Sequence, residues 1–285
     1  MYTVLVTGSR GKTGRAVLDA LKDHPGFRLI GASSKPADAS QVRLDWGDKA
    51  TWATALSGVD ALYLVKPTDN LTDPAAPDVG DKVRAFLATS RSLKRVVLLS
   101  EIGASGRDES LDERRVERAV EESGTEWTIL QPNWFMQNFS DASFYLPAVK
   151  SGGTISVPTA GKPTSFIDTR DIADVVATAL ARGGHGQRTY TLTGPEAYTW
   201  SDALAMISEA GGRRVTYVDI ALEDFLTNPK ITALPEKVRA HYRGVYDLLS
   251  SDAAGAVTGH VEAVLGRPAR GFKAFVEENA ALWRA

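Results

Sequence analysis

The stretch VLVTGSRGKTGRAV, residues 4–17, decides how the rest of the chain is read. It holds the letters GKT, which belong to one phosphate-binding loop, and a series of spaced glycines, which belongs to another. The first loop needs G-x-x-x-x-G-K-[ST], and the position for its leading glycine carries Val6. What remains is Gly8-x-x-Gly11-x-x-Gly14, directly after a β-rich run and opening a helix-like one. That context turns a weak glycine spacing into a dinucleotide loop. Gly8 is expected to turn the chain out of the strand, Gly11 to let a pyrophosphate approach the backbone, and Gly14 to let the helix lie close to the sheet. The helix N-terminus then supplies the anion site. Ordinary turn and capping glycines are the competing explanation, and the placement at the first strand–helix junction favours the nucleotide.

Around this loop, short β-rich runs alternate with helix-like stretches from Tyr2 to Leu130: YTVLVT, FRLIGA, VRL, ALYLV, RVVLLS and WTIL are the expected strands. Apolar residues at helical spacing lie between them, such as Val17, Leu18 and Leu21, then Val79, Val83, Phe86 and Leu87, then Val116, Ala119 and Val120. The rhythm predicts an α/β fold, a doubly wound parallel sheet covered on both faces. After Leu130 it loosens into LPAVKSGGTISVPTAGKP, the strand-like RTYTLT and a mainly helical final third. The expected division is a nucleotide-binding domain over residues 1–140 and a smaller substrate-binding region over 141–285, closely packed over the sheet's C-terminal edge, with some elements returning to the first domain.

A chain of 285 residues with 43% hydrophobic and 24% charged residues can bury a large core. Its 33 basic side chains against 35 acidic ones, and a pI near 6.1, give no general attraction to nucleic acid or to an anionic membrane. The expected partner is a small-molecule substrate. The absence of cysteine removes disulfides, thiolate nucleophiles and Cys-ligated zinc. His24, His185, His241 and His260 are scattered without metal-binding spacing, so no metal centre is expected, and His185 in GGHGQ reads as a turn. The chain opens on YTVLVT without the flanks of a signal peptide, and no apolar run is long enough to span a bilayer. A cytoplasmic location is the expectation.

Cofactor choice is read beyond the second strand, where NAD-binding chains place an acid on the ribose 2′-hydroxyl. Here the chain reads GASSKP: Ser33 and Ser34 offer hydrogen bonds, Lys35 offers positive charge, and no acid stands there to repel a 2′-phosphate. Arg10 is placed to close over the same phosphate. NADP(H) is therefore expected over NAD(H), with contacts from Gly8, Ser9, Arg10, Gly11, Lys12, Thr13 and Gly14 and from Ser33, Ser34 and Lys35.

Several ordered motifs also carry a resemblance: the Gly8–Gly14 loop, ALYLVKP (61–67), VVLLSEIGAS (96–105), SGTEWTILQPNWFMQNFS (123–140), SFIDTRDIADVVATAL (165–180) and YTLTGPEAYTWSDALAMISEAGGRRVTYV. Together they resemble the atypical short-chain dehydrogenases of the NmrA-like family over nearly the whole chain. GSRGKTGR with PNWFMQNFS is most similar to the branch containing the ergot-alkaloid festuclavine and agroclavine dehydrogenases, which reduce iminium-type intermediates. The resemblance implies a Rossmann domain binding NADP(H), with Asp45 near the adenine, Val65, Lys66 and Pro67 beside the ribose and pyrophosphate, and Ser100, Pro132, Asn133 and Trp134 toward the nicotinamide. It also implies that substrate lies between that face and the C-terminal region. Gln131 stands where the family usually has arginine, which puts a cofactor contact there in doubt. Asp168, Arg170 and Asp171 match a structural signature of the family.

Ordinary short-chain dehydrogenases use Tyr-x-x-x-Lys, because a tyrosine moves the proton that accompanies the hydride and the lysine lowers its pKa. None of the eight tyrosines is followed four positions later by lysine. The helix where the dyad belongs reads SLDERRVERAVEESG, and its Glu113/Glu117 pair among Arg114, Arg115 and Arg118 reads first as a solvated, charge-laced face. The catalytic residue stays unknown, with Glu113, Ser100 and Asn133 as weak candidates. An electron-poor substrate makes an acid dispensable: an iminium carbon takes hydride directly, and a quinone can draw its protons from water. Trp134, Phe135, Asn138 and Phe166 are the candidate substrate contacts, flat walls with a polar handle suited to an aromatic or polycyclic ligand. Phe139 reads as core.

The function expected is therefore an NADPH-dependent reductase of a small imine, iminium, quinone or enone. One alternative is an NADP-binding redox sensor acting on a protein partner; another is a non-redox cyclase or isomerase on the same scaffold.

Overall fold

In a computed structural model of the chain, the structure describes residues 2–67, 78–109 and 111–284. Two compact units emerge, one of residues 1–132 with 169–191 and one of 133–168 with 192–285.

The first unit is built on strands β1 (Tyr2–Val6), β2 (Phe27–Ser33), β3 (Gln41–Arg43), β4 (Ala61–Val65), β5 (Arg95–Leu99) and β6 (Glu126–Pro132). Between them lie helices α1 (Lys12–Leu21), α2 (Ala50–Ala55), α3 (Val79–Leu87) and α4 (Asp112–Glu121). The central strands are apolar along their length, and Val4, Leu5, Val6, Leu62, Tyr63, Leu64, Val96, Val97 and Leu98 are wholly buried. A strand with no polar side can be buried only when both faces of its sheet are covered, which is the parallel arrangement. The strands run parallel in the order β3-β2-β1-β4-β5-β6, with Val6 level with Gly31 on one side and with Tyr63 on the other.

The order reverses between β1 and β4. Helices α3 and α4 pack on one another, and the right-handed rule for parallel crossovers assigns them to the face opposite α1. A crevice at the carboxyl ends of the strands is where such sheets hold ligands. Helix α3 is started by Asp78, whose carboxylate accepts from Gly80 N at 2.8 Å and Asp81 N at 3.3 Å.

A seventh strand completes this sheet. RTYTLT, expected in the C-terminal region, supplies β8 (Arg188–Leu192) beside β6, after α6 (Thr169–Ala181) returns to pack on α1. It lies at the edge of the sheet, where Arg188 and Thr189 are exposed and only Leu192 is fully covered. An edge strand lacks the continuous apolar run that marks its neighbours.

The second unit holds α5 (Leu146–Ser151), a parallel pair of β7 (Thr154–Val157) with β9 (Thr216–Asp219), then α7 (Trp200–Gly211), α8 (Leu222–Leu226) and α9 (Pro229–Thr232). It ends with α10 (Glu236–Leu249), α11 (His260–Leu265) and α12 (Phe272–Arg284). Its core is aromatic: Phe139, Phe166, Trp200, Phe272, Phe275 and Trp283 are each at most 2% exposed. Phe166 meets Phe272 at 5.1 Å, and Phe139 and Trp200 at 5.6 Å each, mostly edge to face. The indoles of this unit's two fully buried tryptophans are satisfied, Trp200 Nε1 by Thr164 Oγ1 at 3.0 Å and Trp283 Nε1 by Phe139 O at 3.1 Å. Gly194 is required here, since a Cβ would lie 2.1 Å from Phe166 O.

Phe166 thus packs against three rings inside the core. Phe166→Ala is expected to lower the unfolding free energy by about 3–5 kcal/mol, the range for deleting a fully buried ring. Denaturant titration measures it, and a loss under about 1 kcal/mol would mean that the ring is not part of this core.

Candidate active site

Thr7, at the end of β1, pins the first strand to the fourth: its hydroxyl donates to Tyr63 O at 3.2 Å and accepts from Val65 N at 2.7 Å. The chain then turns through Gly8, whose φ of +58° lies in the left-handed region open to glycine. Gly14 is under the tightest constraint, because a Cβ there would stand 2.2 Å from Gly8 O and 2.7 Å from its carbonyl carbon. The close approach is to the loop itself and not to a sheet strand, which corrects the role expected for this glycine. Ser9 is a strut as well as a loop residue, donating from its hydroxyl to Ala32 O at 2.8 Å and so tying the loop to β2.

Helix α1 begins at Lys12 after Gly11, with no side chain capping its N-terminus and no acid in its first turn. Its first amides lack intrahelical partners, and the helix dipole makes that end favourable to negative charge. The loop offers backbone donors, no side chain at Gly8, Gly11 or Gly14 and no opposing carboxylate. These features fit the pyrophosphate of a dinucleotide. Arg10 is exposed beside it, Lys12 is half-buried and Thr13 is buried.

Beyond β2 the candidates separate. The Ser33 hydroxyl donates to Lys35 O at 3.0 Å and accepts from Lys35 N at 3.2 Å, so its hydrogen is spent on shaping the turn. Ser34 and Lys35 are exposed. Asp45 organises the next loop, its carboxylate accepting from Gly47 N at 2.9 Å and its carbonyl from Trp52 Nε1 at 3.0 Å.

At the carboxyl ends of β4, β5 and β6 the structure overturns the solvated reading of α4. Glu113 and Glu117 are 5% and 1% exposed, on the same helix face as Val116 and Val120. Positions 113, 116, 117 and 120 form one inward stripe, and two of its members are acids. Glu117 Oε1 accepts from Ser100 Oγ at 2.6 Å and Gln131 Nε2 at 2.7 Å, and Oε2 from Arg114 at 3.1 Å. Gln131 therefore contacts a carboxylate of its own unit, while the positive charge beside that carboxylate comes from Arg114. The Glu121 and Glu117 carboxylates raise the Arg114 pKa. Glu113 pairs with Lys66, and more loosely with Arg107 at 3.5 Å; Arg107 also binds Glu101. Ser100 and Lys66, expected at the cofactor, are thus held by buried glutamates. Val65 is half-buried, and Pro67 and Pro132 are buried.

In the second unit Asn133 is 4% exposed, with both amide hydrogens committed, to Ser165 Oγ at 2.8 Å and Ala254 O at 2.7 Å. Its Oδ1 accepts from Trp134 N at 2.8 Å. Asn133 thus fixes the backbone that presents Trp134. Phe135 is half-buried and pairs with Ile167 in an isolated bridge, Asn138 is buried, and Asp168 accepts from Gln137 Nε2 at 2.8 Å. In the first unit, His185 meets the Tyr190 hydroxyl at 3.0 Å through Nδ1, and burial, then Arg95 and Arg182, lower its pKa.

The sequence reading missed an aromatic group on α8 and α10. Tyr246 lies 6.2 Å from Trp134 and 4.4 Å from Phe225, and stacks on Tyr242 at 6.3 Å. The one local signal is the i, i+4 spacing of Tyr242 and Tyr246, which places two rings on one helix side.

A parallel sheet in this order, with a glycine-lined helix start at its reversal point, defines a dinucleotide-binding α/β protein. Residues 8–183 match the model of an NAD(P)H-binding family, and residues 111–263 match that of the NmrA-like family. The chain belongs to the NmrA-like family of NAD(P)H-binding proteins. Among its relatives are the NAD(P)H azoreductase of Xenophilus azovorans, 32% identical over 99% of both chains, and the agroclavine dehydrogenase of Claviceps fusiformis, 28% identical over 99% of this chain and 98% of that one. The crystal structure of an Escherichia coli NADPH-dependent quinone oxidoreductase complexed with NADPH shares the fold, with a TM-score of 0.75 at 21% identity, covering 96% of this chain and 99% of that one. No helix among the described residues is long and apolar enough to cross a membrane.

Glu117→Ala strips the common acceptor from three donors and is expected to cost about 3–5 kcal/mol of stability, as for breaking a buried charge pair. Thermal and denaturant unfolding measure it, and a loss below about 1 kcal/mol would show that the carboxylate is not a structural hub. Gly14→Ala forces the loop backbone apart. Its expected outcome is a loss of NAD(P)H affinity of at least about 100-fold, read by nucleotide fluorescence titration.

Proposed function

We propose that this chain is an NADPH-dependent reductase of a small, flat, electron-poor substrate: an imine or iminium, a quinone or an enone. The observation that carries the reading is the acid-free, uncapped start of α1 behind a loop without side chains at Gly8, Gly11 and Gly14. Family membership and oxidoreductase relatives support the class of reaction.

A bound reduced nicotinamide supplies the hydride. The protein's own part is binding, orientation and charge. The loop and the first turn of α1 would hold the pyrophosphate, and exposed Arg10 and Lys35, with no acid at positions 33–35, favour a 2′-phosphate over a free hydroxyl. Lys66 and Ser100 are fixed by their bonds to Glu113 and Glu117, so they enter the site in set orientations.

No Tyr-x-x-x-Lys dyad is present, and Glu113 is paired with cations. This suits substrates that need little help with a proton. An iminium carbon takes hydride with no proton at all; a quinone becomes a hydroquinone by taking one hydride and one proton, and water can supply that proton.

Two measurements test this. NADPH should bind at least about tenfold more tightly than NADH, and Lys35→Glu should erase most of that difference by placing an acid beside the 2′-phosphate. A preference for NADH would overturn the cofactor assignment. NADPH absorbance should fall with at least one of a quinone, an enone, a cyclic imine and a cyclic iminium, and silence with all of them would overturn the reductase reading.

A further inference from the structure

Among the described residues, Tyr63 Oη, Arg95 Nε and Trp134 Nε1 are buried without a hydrogen-bond partner. The first two are poor places for a ligand. Tyr63 is wholly enclosed, and Arg95 already donates through its other nitrogens to Leu180 O at 2.6 Å and Glu126 at 2.9 Å. Trp134 differs because the residue as a whole is only half-buried.

The same unit satisfies its other deep indoles, those of Trp200 and Trp283, with protein acceptors. Leaving an indole N–H unmade costs about 1–3 kcal/mol, a loss recovered when a ligand brings an acceptor. The surroundings are flat and aromatic: Trp200 at 5.7 Å edge-on, Tyr246 at 6.2 Å, and beyond it Phe225 and Tyr242. Burial, then the neighbouring Tyr242, pushes the Tyr246 phenol up to about 12, so at neutral pH it adds no negative charge. Asn133, locked by Ser165 and Ala254, holds the Trp134 backbone in place.

We propose that Trp134, with Tyr246, Tyr242 and Phe225, forms a recognition site for a flat aromatic molecule bearing a neutral hydrogen-bond acceptor, of the quinone type, with the indole N–H donating to that acceptor. The inference rests on the reductase reading and narrows it. An iminium nitrogen is cationic and has no lone pair to accept, so the orphaned donor discriminates against it. A quinone oxygen or another neutral carbonyl satisfies the donor, and the rings cover the faces of the molecule.

Equilibrium dialysis of the full chain with three two-ring probes tests it: menadione, its hydrocarbon analogue methylnaphthalene, and the cation N-methylquinolinium. Menadione should bind about tenfold more tightly than either of the others, the worth of one well-made hydrogen bond. Trp134→Phe should remove that advantage while leaving methylnaphthalene within about twofold, and Tyr246→Ala should weaken both neutral probes. Equal binding of all three probes, tighter binding of the cation, or unchanged menadione affinity in Trp134→Phe would overturn the proposal. Should Trp134→Phe fail to fold, the ratio of probes on the unsubstituted protein decides. Dialysis needs no turnover: normal binding without NADPH oxidation refutes the reductase reading alone, and oxidation without the menadione preference refutes this site alone.

Discussion

A single buried carboxylate, Glu117, holds together the ends of two sheet strands and the helix between them. Ser100 follows β5, Gln131 belongs to β6 and Arg114 to α4, and all three donate to it. Ionised groups this deep are tolerated only when their lone pairs are met by donors and their charge by a cation. Around Glu117 both conditions are fulfilled. The consequence is geometric: the carboxyl ends of the strands, where this kind of sheet places its ligands, are cross-linked by hydrogen bonds instead of being left as free loops.

The second glutamate of the same stripe extends that frame. Glu113 takes Lys66 from the end of β4, and Arg107 links it to Glu101. Two neighbouring inward positions of one helix thus orient side chains from three consecutive strand ends. Burial and pairing limit what these groups can do, since a carboxylate tied to cations is an acceptor and a strut. The Tyr-x-x-x-Lys dyad is absent from the chain as well.

Much of this was legible from residue patterns. Six strands stood out because a parallel strand buried on both faces is apolar throughout, and the glycine-lined loop stood out because its three glycines sit where strand becomes helix. The edge strand Arg188–Leu192 was harder to place because only one of its ends is covered. Glu113 and Glu117 were misread because a charged residue usually marks the wet side of a helix. Their i, i+3, i+4, i+7 spacing with Val116 and Val120 was the available correction. Phe166 was placed among candidate substrate contacts because an aromatic side chain looks the same in sequence whether it lines a pocket or fills a core.

The sequence by itself determined the class of fold, the position of a glycine-lined loop between the first strand and helix, and the absence of the usual proton-transfer dyad, because each depends on local spacing or on a simple count of residues. Only the tertiary structure decided what the polar groups are for. Whether Ser33 is a free donor, Asn133 a reactive amide or a backbone brace, and the Trp134 N–H satisfied or orphaned depends on partners up to 121 positions away in the chain. Hydrogen-bond partnership is a three-dimensional property with no periodicity to betray it, so it becomes readable once the strands and helices have been brought together.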